Sequence, residues 1–144
     1  MRKLISAVGA VLFIGACVYF VAGITAVSPP IKTYVYRKSI TALKDGLKKI
    51  AISNKDLSYH AGDITGDANI GYRYYINVYI KQANRDLQYT IFYDKTDYWF
   101  KKNTTQISLV MAYDRTNDLG GYSLKANGID SLIKIFEQEI ITNL

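Results

Sequence analysis

One cysteine, one histidine and two prolines serve a chain of 144 residues, and each scarcity removes a class of chemistry. Cys17 lies inside an apolar stretch, so the remainder of the chain has no thiol for an intrachain disulfide or a thiolate metal site. His60 is the single imidazole, which excludes a zinc site built on two histidines. Pro29 and Pro30 leave no material for a proline-rich linker. The excess of basic charge is small. Lys and Arg number 18 against 12 Asp and Glu, a net +6. Without Arg2 and Lys3 at the amino-terminal end, 16 bases face 12 acids and the remainder is +4. That is solvation charge, compatible with an anionic membrane surface, and it gives no argument for nucleic acid.

Tyrosine is abundant, with 13 residues that fall mostly inside apparent strands, where aromatic side chains suit a half-buried pleated surface. The other conspicuous feature is residues 4–27, an uncharged apolar run behind Met1-Arg2-Lys3. About 24 residues at about 1.5 Å each make a helix of about 36 Å, against a hydrocarbon core of about 30 Å. A membrane-linked start is expected, with residues 1–27 as lipoprotein signal or transmembrane anchor, 28–30 as linker and 31–144 as a single soluble domain.

Three readings of the start remain open. Arg2-Lys3 and residues 4–13 have the basic and apolar regions of a cleaved signal, and Ile14-Gly15-Ala16-Cys17 resembles a bacterial lipobox, which makes Cys17 the lipidation candidate. Two acyl chains on its sulfur would anchor stably, each buried methylene contributing about 0.8 kcal/mol. Residues 18–24 stay as apolar as those before Cys17, which fits an uncleaved signal anchor. Ile24-Thr25-Ala26 also offers a site for ordinary signal peptidase. Arg2 and Lys3 favour an inside amino terminus, while Lys32, Arg37 and Lys38 weaken that bias from the other end.

Ser28-Pro29-Pro30 ends any helix, because proline lacks an amide donor and Pro30 pushes Pro29 out of the helical region. Residues 31–37 alternate as a first strand. Ser39 can cap a helix over residues 40–53, with Ile40, Leu43, Leu47, Ile50 and Ala51 on one face and Lys44, Lys48 and Lys49 on the other. Those lysines read as a solvated face before they read as a basic strip for lipid headgroups or a partner. Gly46 implies close packing or a bend. Residues 57–61 form a short strand, and residues 62–71 read as a glycine-rich loop. Its Asp63, Asp67 and Asn69 lack EF-hand spacing, and no Lys-Ser/Thr pair follows its glycines, so turn chemistry is favoured over calcium or phosphate.

Residues 72–81 alternate, Asn84-Arg85-Asp86 makes a turn, and residues 87–93 alternate again, which predicts an antiparallel hairpin. Thr105, Ile107, Leu109, Met111 and Tyr113 then read as one face of a third meander strand. Residues 114–121 are a polar turn, and residues 122–125 could edge the sheet. Asn127 can cap a last helix reaching about residue 143, with Asp130 at its third position and Ile129, Leu132, Ile133, Phe136, Ile140 and Ile141 as its apolar stripe. The expected fold class is α+β, a two-layer domain with an antiparallel sheet of about four to five strands and two helices packed on one face, behind an N-terminal membrane helix or lipoprotein signal.

No catalytic set emerges. No nucleophile is tied to His60 by a motif, and the Asp residues concentrate in turns. Gly71-Tyr72-Arg73-Tyr74 lacks the small and basic residues of an RNA-stacking strand. Tyr98, Trp99 and Phe100 are the interaction candidates, an exposed aromatic patch set against the plainer reading of a core-edge cluster.

The arrangement of residues 31–37, Ala42-Leu43-Lys44-Asp45-Gly46-Leu47, Thr104-Thr105-Gln106-Ile107-Ser108-Leu109 and the final helix resembles small bacterial lipoproteins of unknown function. The anchor, helix and hairpin near Trp99 are also similar to membrane-anchored cytochrome oxidase assembly factors and the related translocase regulator domain, from which the long final helix departs. Neither likeness implies catalytic residues or cofactors. The expectation is a non-enzymatic, membrane-tethered protein of the bacterial envelope, its domain facing the periplasm and binding or scaffolding another envelope protein. A small-ligand or lipid-binding module is the alternative.

Overall fold

Residues 29–65, 73–82, 84–94 and 103–144 are described by the computed structural model. The apolar stretch with Cys17 lies outside them, as do Tyr98, Trp99 and Phe100. Among the described residues no helix is long and apolar enough to cross a membrane.

The elements run β1 (Lys32–Tyr36), α1 (Ile40–Ser53), β2 (Leu57–Thr65), β3 (Arg73–Gln82), β4 (Arg85–Asp94), β5 (Thr105–Asp114), β6 (Leu119–Gly121) and α2 (Ile129–Glu139), followed by a 3₁₀ turn at Ile141–Asn143. All strand pairs are antiparallel, in the order β1-β5-β4-β3-β2, with β6 also pairing with β5. The fold is α+β, with six strands where four or five were expected. β1 takes the first half of the free side of β5 (Lys32 opposite Leu109, Tyr36 opposite Thr105), and β6 takes the second half (Ala112 opposite Gly121).

α1 forms where its periodicity places it. Ser39 Oγ accepts the Ala42 amide at 3.3 Å, and Ile40, Leu43, Leu47 and Ile50 are buried at helical spacing. A Cβ on Gly46 would stand 2.8 Å from Leu144 Cδ2, so close packing explains this glycine. Both helices cover one face of the sheet. Tyr89 and Tyr93, four residues apart on β4, point the same way. Tyr89 packs its ring on Phe136 of α2 at 5.1 Å and donates its hydroxyl to Leu132 O at 3.1 Å, while Lys44 of α1 lies 5.8 Å from the Tyr93 ring. Leu43, Leu47, Ile76, Ile91, Ile107, Leu132 and Phe136 belong to one continuous core.

Three sequence expectations are corrected. The run from Thr105 to Tyr113 does not keep one face inward. Thr90 stands opposite Met111 but Ile91 opposite Leu109, so Val110 is the extra residue of a β-bulge. Thr105, Ile107 and Leu109 face the helices before it, and Ala112 and Asp114 face them after it. Second, β2 continues through Gly62 and Asp63 to Thr65 by a register shift between Ala61 and Ile64, and the sheet is edged by Leu119–Gly121 instead of residues 122–125. Third, Asn127 does not cap α2. Its main-chain carbonyl accepts the Gly120 amide at 2.8 Å, and Gly128, at φ 75°, becomes the residue preceding the helix. α2 stops at Glu139 because Thr142 and Asn143 fold back, their side chains donating to the carbonyls of Glu137, Gln138 and Glu139 at 2.9 to 3.1 Å.

Gly120 adopts φ 92°, and a Cβ there would stand 2.1 Å from Ala112 O and 2.5 Å from Leu132 Cδ1. Gly120→Ala is expected to lower stability by about 3 kcal/mol through backbone strain and collision with the main chain. Gly121, at φ 143°, would be strained too, but its Cβ would meet only Ala126 Cβ at 3.8 Å, so without the collision Gly121→Ala should cost less. Urea unfolding of the two variants beside the wild type, with the m-value unchanged, checks the ranking.

Candidate functional site

β1 and β2 are the two edge strands of the described sheet, and β2, nine residues against five, offers the longer outer edge. Among the described strands β2 pairs only with β3. The Lys81 amide donates to Asp56 O at 2.7 Å, and Asp56 and Lys81 continue the register that sets Leu57 opposite Ile80. Bonded and non-bonded pairs alternate along an antiparallel ladder. Ser58 and His60 therefore direct their amides and carbonyls at β3, whereas Leu57, Tyr59 and Ala61 direct theirs outward. The Leu57 amide is taken by Asn54 O at 3.1 Å. The outward amides of Tyr59 and Ala61 have no described partner. Their side chains leave that edge accessible, since Tyr59 leans on the core and Ala61 is small and exposed. His60 is exposed on the side opposite the helices, opposite Asn77 in the ladder.

At one end of the sheet a shallow depression of about 770 Å³ is lined by Asp56, Lys81, Gln82, Asn84, Arg85, Asp86 and Thr116. Two of its charged side chains are paired, Arg85 with Asp114 and Asp86 with Arg115. Asp114, fully buried, receives Arg85 Nε at 2.7 Å, Asn117 Nδ2 at 2.9 Å and the amides of Thr116 and Asn117 at 3.0 and 3.2 Å. Burial alone would push its carboxyl up, but these hydrogen bonds outweigh burial and hold it below its ordinary value. Asp86 accepts the Arg115 amide at 2.8 Å on its main-chain oxygen, and its own amide donates to Thr116 Oγ1 at 3.0 Å. Arg85 and Asp114, with the turn that follows, form a clasp at this end of the sheet, whereas Asp56 and Lys81 are joined only through their main chain.

A smaller groove of about 270 Å³ lies along β1 and the carboxy-terminal turn, between Tyr34, Val35, Tyr36, Ile107, Ile141 and Leu144, with Arg37 and Lys38 at its rim. Beside it Lys32 Nζ meets Glu137 Oε1 at 2.6 Å, and the Tyr34 hydroxyl donates to the same oxygen at 3.1 Å. The lysine holds the Glu137 carboxyl below its ordinary range, while burial and then the carboxylate raise the Tyr34 phenol. A phenol raised in this way is a hydrogen-bond donor and a poor nucleophile. Burial raises the Tyr89 phenol in the same sense. Among the described residues no three His, Cys, Asp or Glu side chains converge as metal ligands, and no buried side-chain nitrogen or oxygen lacks a partner.

The structure brings none of Cys17, Tyr98, Trp99 and Phe100 to a described site, since all four lie outside the described residues. Sequence reasoning missed the clasp, because Arg85 and Asp114 are 29 positions apart and Asp114 reads as the start of a turn. The local signal was Asp114-Arg115-Thr116-Asn117, in which an aspartate can accept the two amides that follow. No protein-family model, curated protein or solved structure matches the chain.

Because the folded carboxyl of Asp114 titrates below the unfolded value of about 3.9, its contribution is complete above that value and is lost as pH falls through the folded one. Asp114→Asn should cost about 2 kcal/mol at pH 7, less than for a fully buried pair because Arg85 retains some contact with water. It should also lose less stability than the wild type between pH 5 and pH 3, estimated as about one pH unit either side of the carboxyl midpoint. Urea midpoints of both proteins across that interval provide the check.

Proposed function

We propose that this is a non-enzymatic protein held at a membrane of the bacterial envelope through residues 4–27, its domain facing the periplasm and binding another protein by strand addition at the outer edge of β2. The unpaired edge carries the reading. Nine residues of strand have no lysine and no proline, and two outward amides with their neighbouring carbonyls offer the hydrogen bonds that an added strand uses. The bulge after Ala61 confines the straight part of that edge to a few residues, which suits a short segment of a partner. The apolar, uncharged stretch behind Arg2-Lys3 supports the membrane attachment.

The groove along β1 favours a second reading, a small-ligand or lipid-binding module. At about 270 Å³ it falls below the roughly 300 to 1,000 Å³ of sites that enclose a drug-sized molecule. The larger depression at the end of the sheet is wide open and lined by polar and charged residues, unlike an enclosing apolar site, so strand addition is preferred. Tyr98, Trp99 and Phe100 remain candidates for extending the same protein contact.

Two measurements test the proposal. Intact mass of the protein from the membrane fraction, beside Cys17→Ala, distinguishes an acylated Cys17 from an uncleaved anchor; a full-length soluble chain in both cases overturns the attachment. For the edge, a photo-crosslinking residue at His60 should give a discrete adduct in intact cells, and one at Lys134 on α2 should not. Ala61→Pro removes an outward amide while sparing the β3 ladder, so it should abolish the adduct at a stability cost of about 1 kcal/mol. His60→Pro interrupts the ladder and should cost about 3 kcal/mol. An adduct that survives Ala61→Pro, or an equal one from position 134, rejects the edge.

A further inference from the structure

The charge of the described domain is concentrated in its first part. Residues 29–55 hold seven basic side chains against the single acid Asp45, a net +6, whereas residues 56–144 hold nine bases against eleven acids, a net −2. α1 presents much of this charge to solvent. Lys44, Lys48 and Lys49 are exposed, and Lys55 follows just past the helix end, also exposed. The ion pairs of the described residues are Lys32–Glu137, Arg85–Asp114 and Arg115–Asp86, so none neutralises α1. Lys44 shares its ammonium with the Tyr93 ring, while Lys48 and Lys49 face water on either side of Asp45, the one acid of this face, which leaves the helix a net +2. Ile52 stands 72% exposed in the last turn, three and four residues beyond Lys49 and Lys48 and hence on the same face. α2, the other helix of this layer, carries Asp130 and Glu139 against Lys134, its Glu137 being paired with Lys32 of β1. The helical layer is therefore basic at α1 and acidic at α2.

We infer that the exposed face of α1 rests on anionic lipid headgroups of the membrane that holds residues 4–27, with Ile52 entering the interfacial layer between the lysines. This rests on the membrane attachment proposed above and adds an orientation to it. Connectivity supports a lipid surface as the occupant. The apolar run ends at Val27 and β1 begins at Lys32, so about five residues at about 3.4 Å each keep Lys32, the start of the basic segment, within about 17 Å of the membrane, on the order of two screening lengths at physiological salt. An apolar side chain flanked by lysines is the pattern of an interfacial helix face. The acidic α2 is repelled by the same surface, which fixes which helix of the layer turns downward.

The test uses the full chain reconstituted into vesicles of phosphatidylcholine alone or with about 30% phosphatidylglycerol. A genetically encoded environment-sensitive fluorophore replaces Ile52 in one protein and Lys134 in another, leaving Cys17 in place. On anionic vesicles at low salt the emission from position 52 should shift to the blue and that from position 134 should not. About 1 M salt should reverse the shift while the chain still floats with the vesicles. Changing Lys44, Lys48 and Lys49 to Gln should weaken the contact about fivefold per lysine. An equal shift on phosphatidylcholine, an equal shift at position 134, or a shift produced by heparin and not by anionic vesicles overturns the inference, the last in favour of a soluble polyanion. Failure to float at high salt overturns the attachment separately. The low-salt shift at position 52 then still decides whether α1 meets anionic lipid.

Discussion

β5 pairs with three strands and carries α2 across its inner face, so the change of side at Val110 constrains everything around it. Before the bulge its inward residues, Ile107 and Leu109, are large and fill the space beneath the helices. After it, Ala112 is small and Asp114 is ionised. The small residue lets Gly120 come close enough to leave no room for a Cβ beside Ala112 O and Leu132. The ionised residue turns inward at the end of the sheet, where Arg85 and the following turn can surround it. Were the same residues paired in regular alternation with no bulge, Met111 and Tyr113 would point at α2, and a methionine and a tyrosine would have to fit where the backbones now nearly touch.

What could be read from the sequence divides along the same line. α1 was legible to the residue because its signals are local, with Ser39 as cap and the buried positions at helical spacing. The β3–β4 hairpin was legible for the same reason, since both strands alternate, but the turn lies earlier than the sequence suggests: Arg85 and Asp86, expected in it, open β4 opposite Gln82 and Lys81. The bulge was not. Residues 105–113 are apolar enough on both parities that alternation cannot show where one residue is dropped. The Gly120-Gly121 strand and the Gly62-Asp63 extension of β2 were hidden by residue types that ordinarily mark turns, and tertiary pairing overrode that preference. The edge at β2 became visible only once β1 was seen to pair with β5, because sheet order is a long-range property. Of the candidate site, the tyrosines announced a pleated surface, and nothing in their spacing said which two strands, β1 and β2, border the sheet.

Polar chemistry in this fold is structural wherever it is buried. Thr105 Oγ1 donates to Lys38 O at 3.0 Å and ties the start of β5 to the link between β1 and α1. Tyr89 satisfies its hydroxyl on a helix carbonyl, so a large aromatic side chain is buried with no orphaned oxygen. On the other face Thr90 Oγ1 donates to Asn77 Oδ1 at 2.7 Å across β4 and β3. Each bond joins elements already brought together by apolar packing and fixes their register. Surface properties that could serve a partner are left to main-chain edges and to the uneven distribution of lysines.

The pairing of Lys32 with Leu109 joins strands separated by most of the domain. Closing a loop of that length is costly in chain entropy and returns little until β2 to β5 are in place, so β1 is the strand expected to dock last. Until then Ile107 and Leu109 lie on an open edge, one strand in from the border of the eventual sheet. The segment that covers them adjoins the apolar run at residues 4–27. A chain held at a membrane by that run would keep its closing strand near its start throughout folding, and would complete the sheet by bringing the rest of the domain back to it.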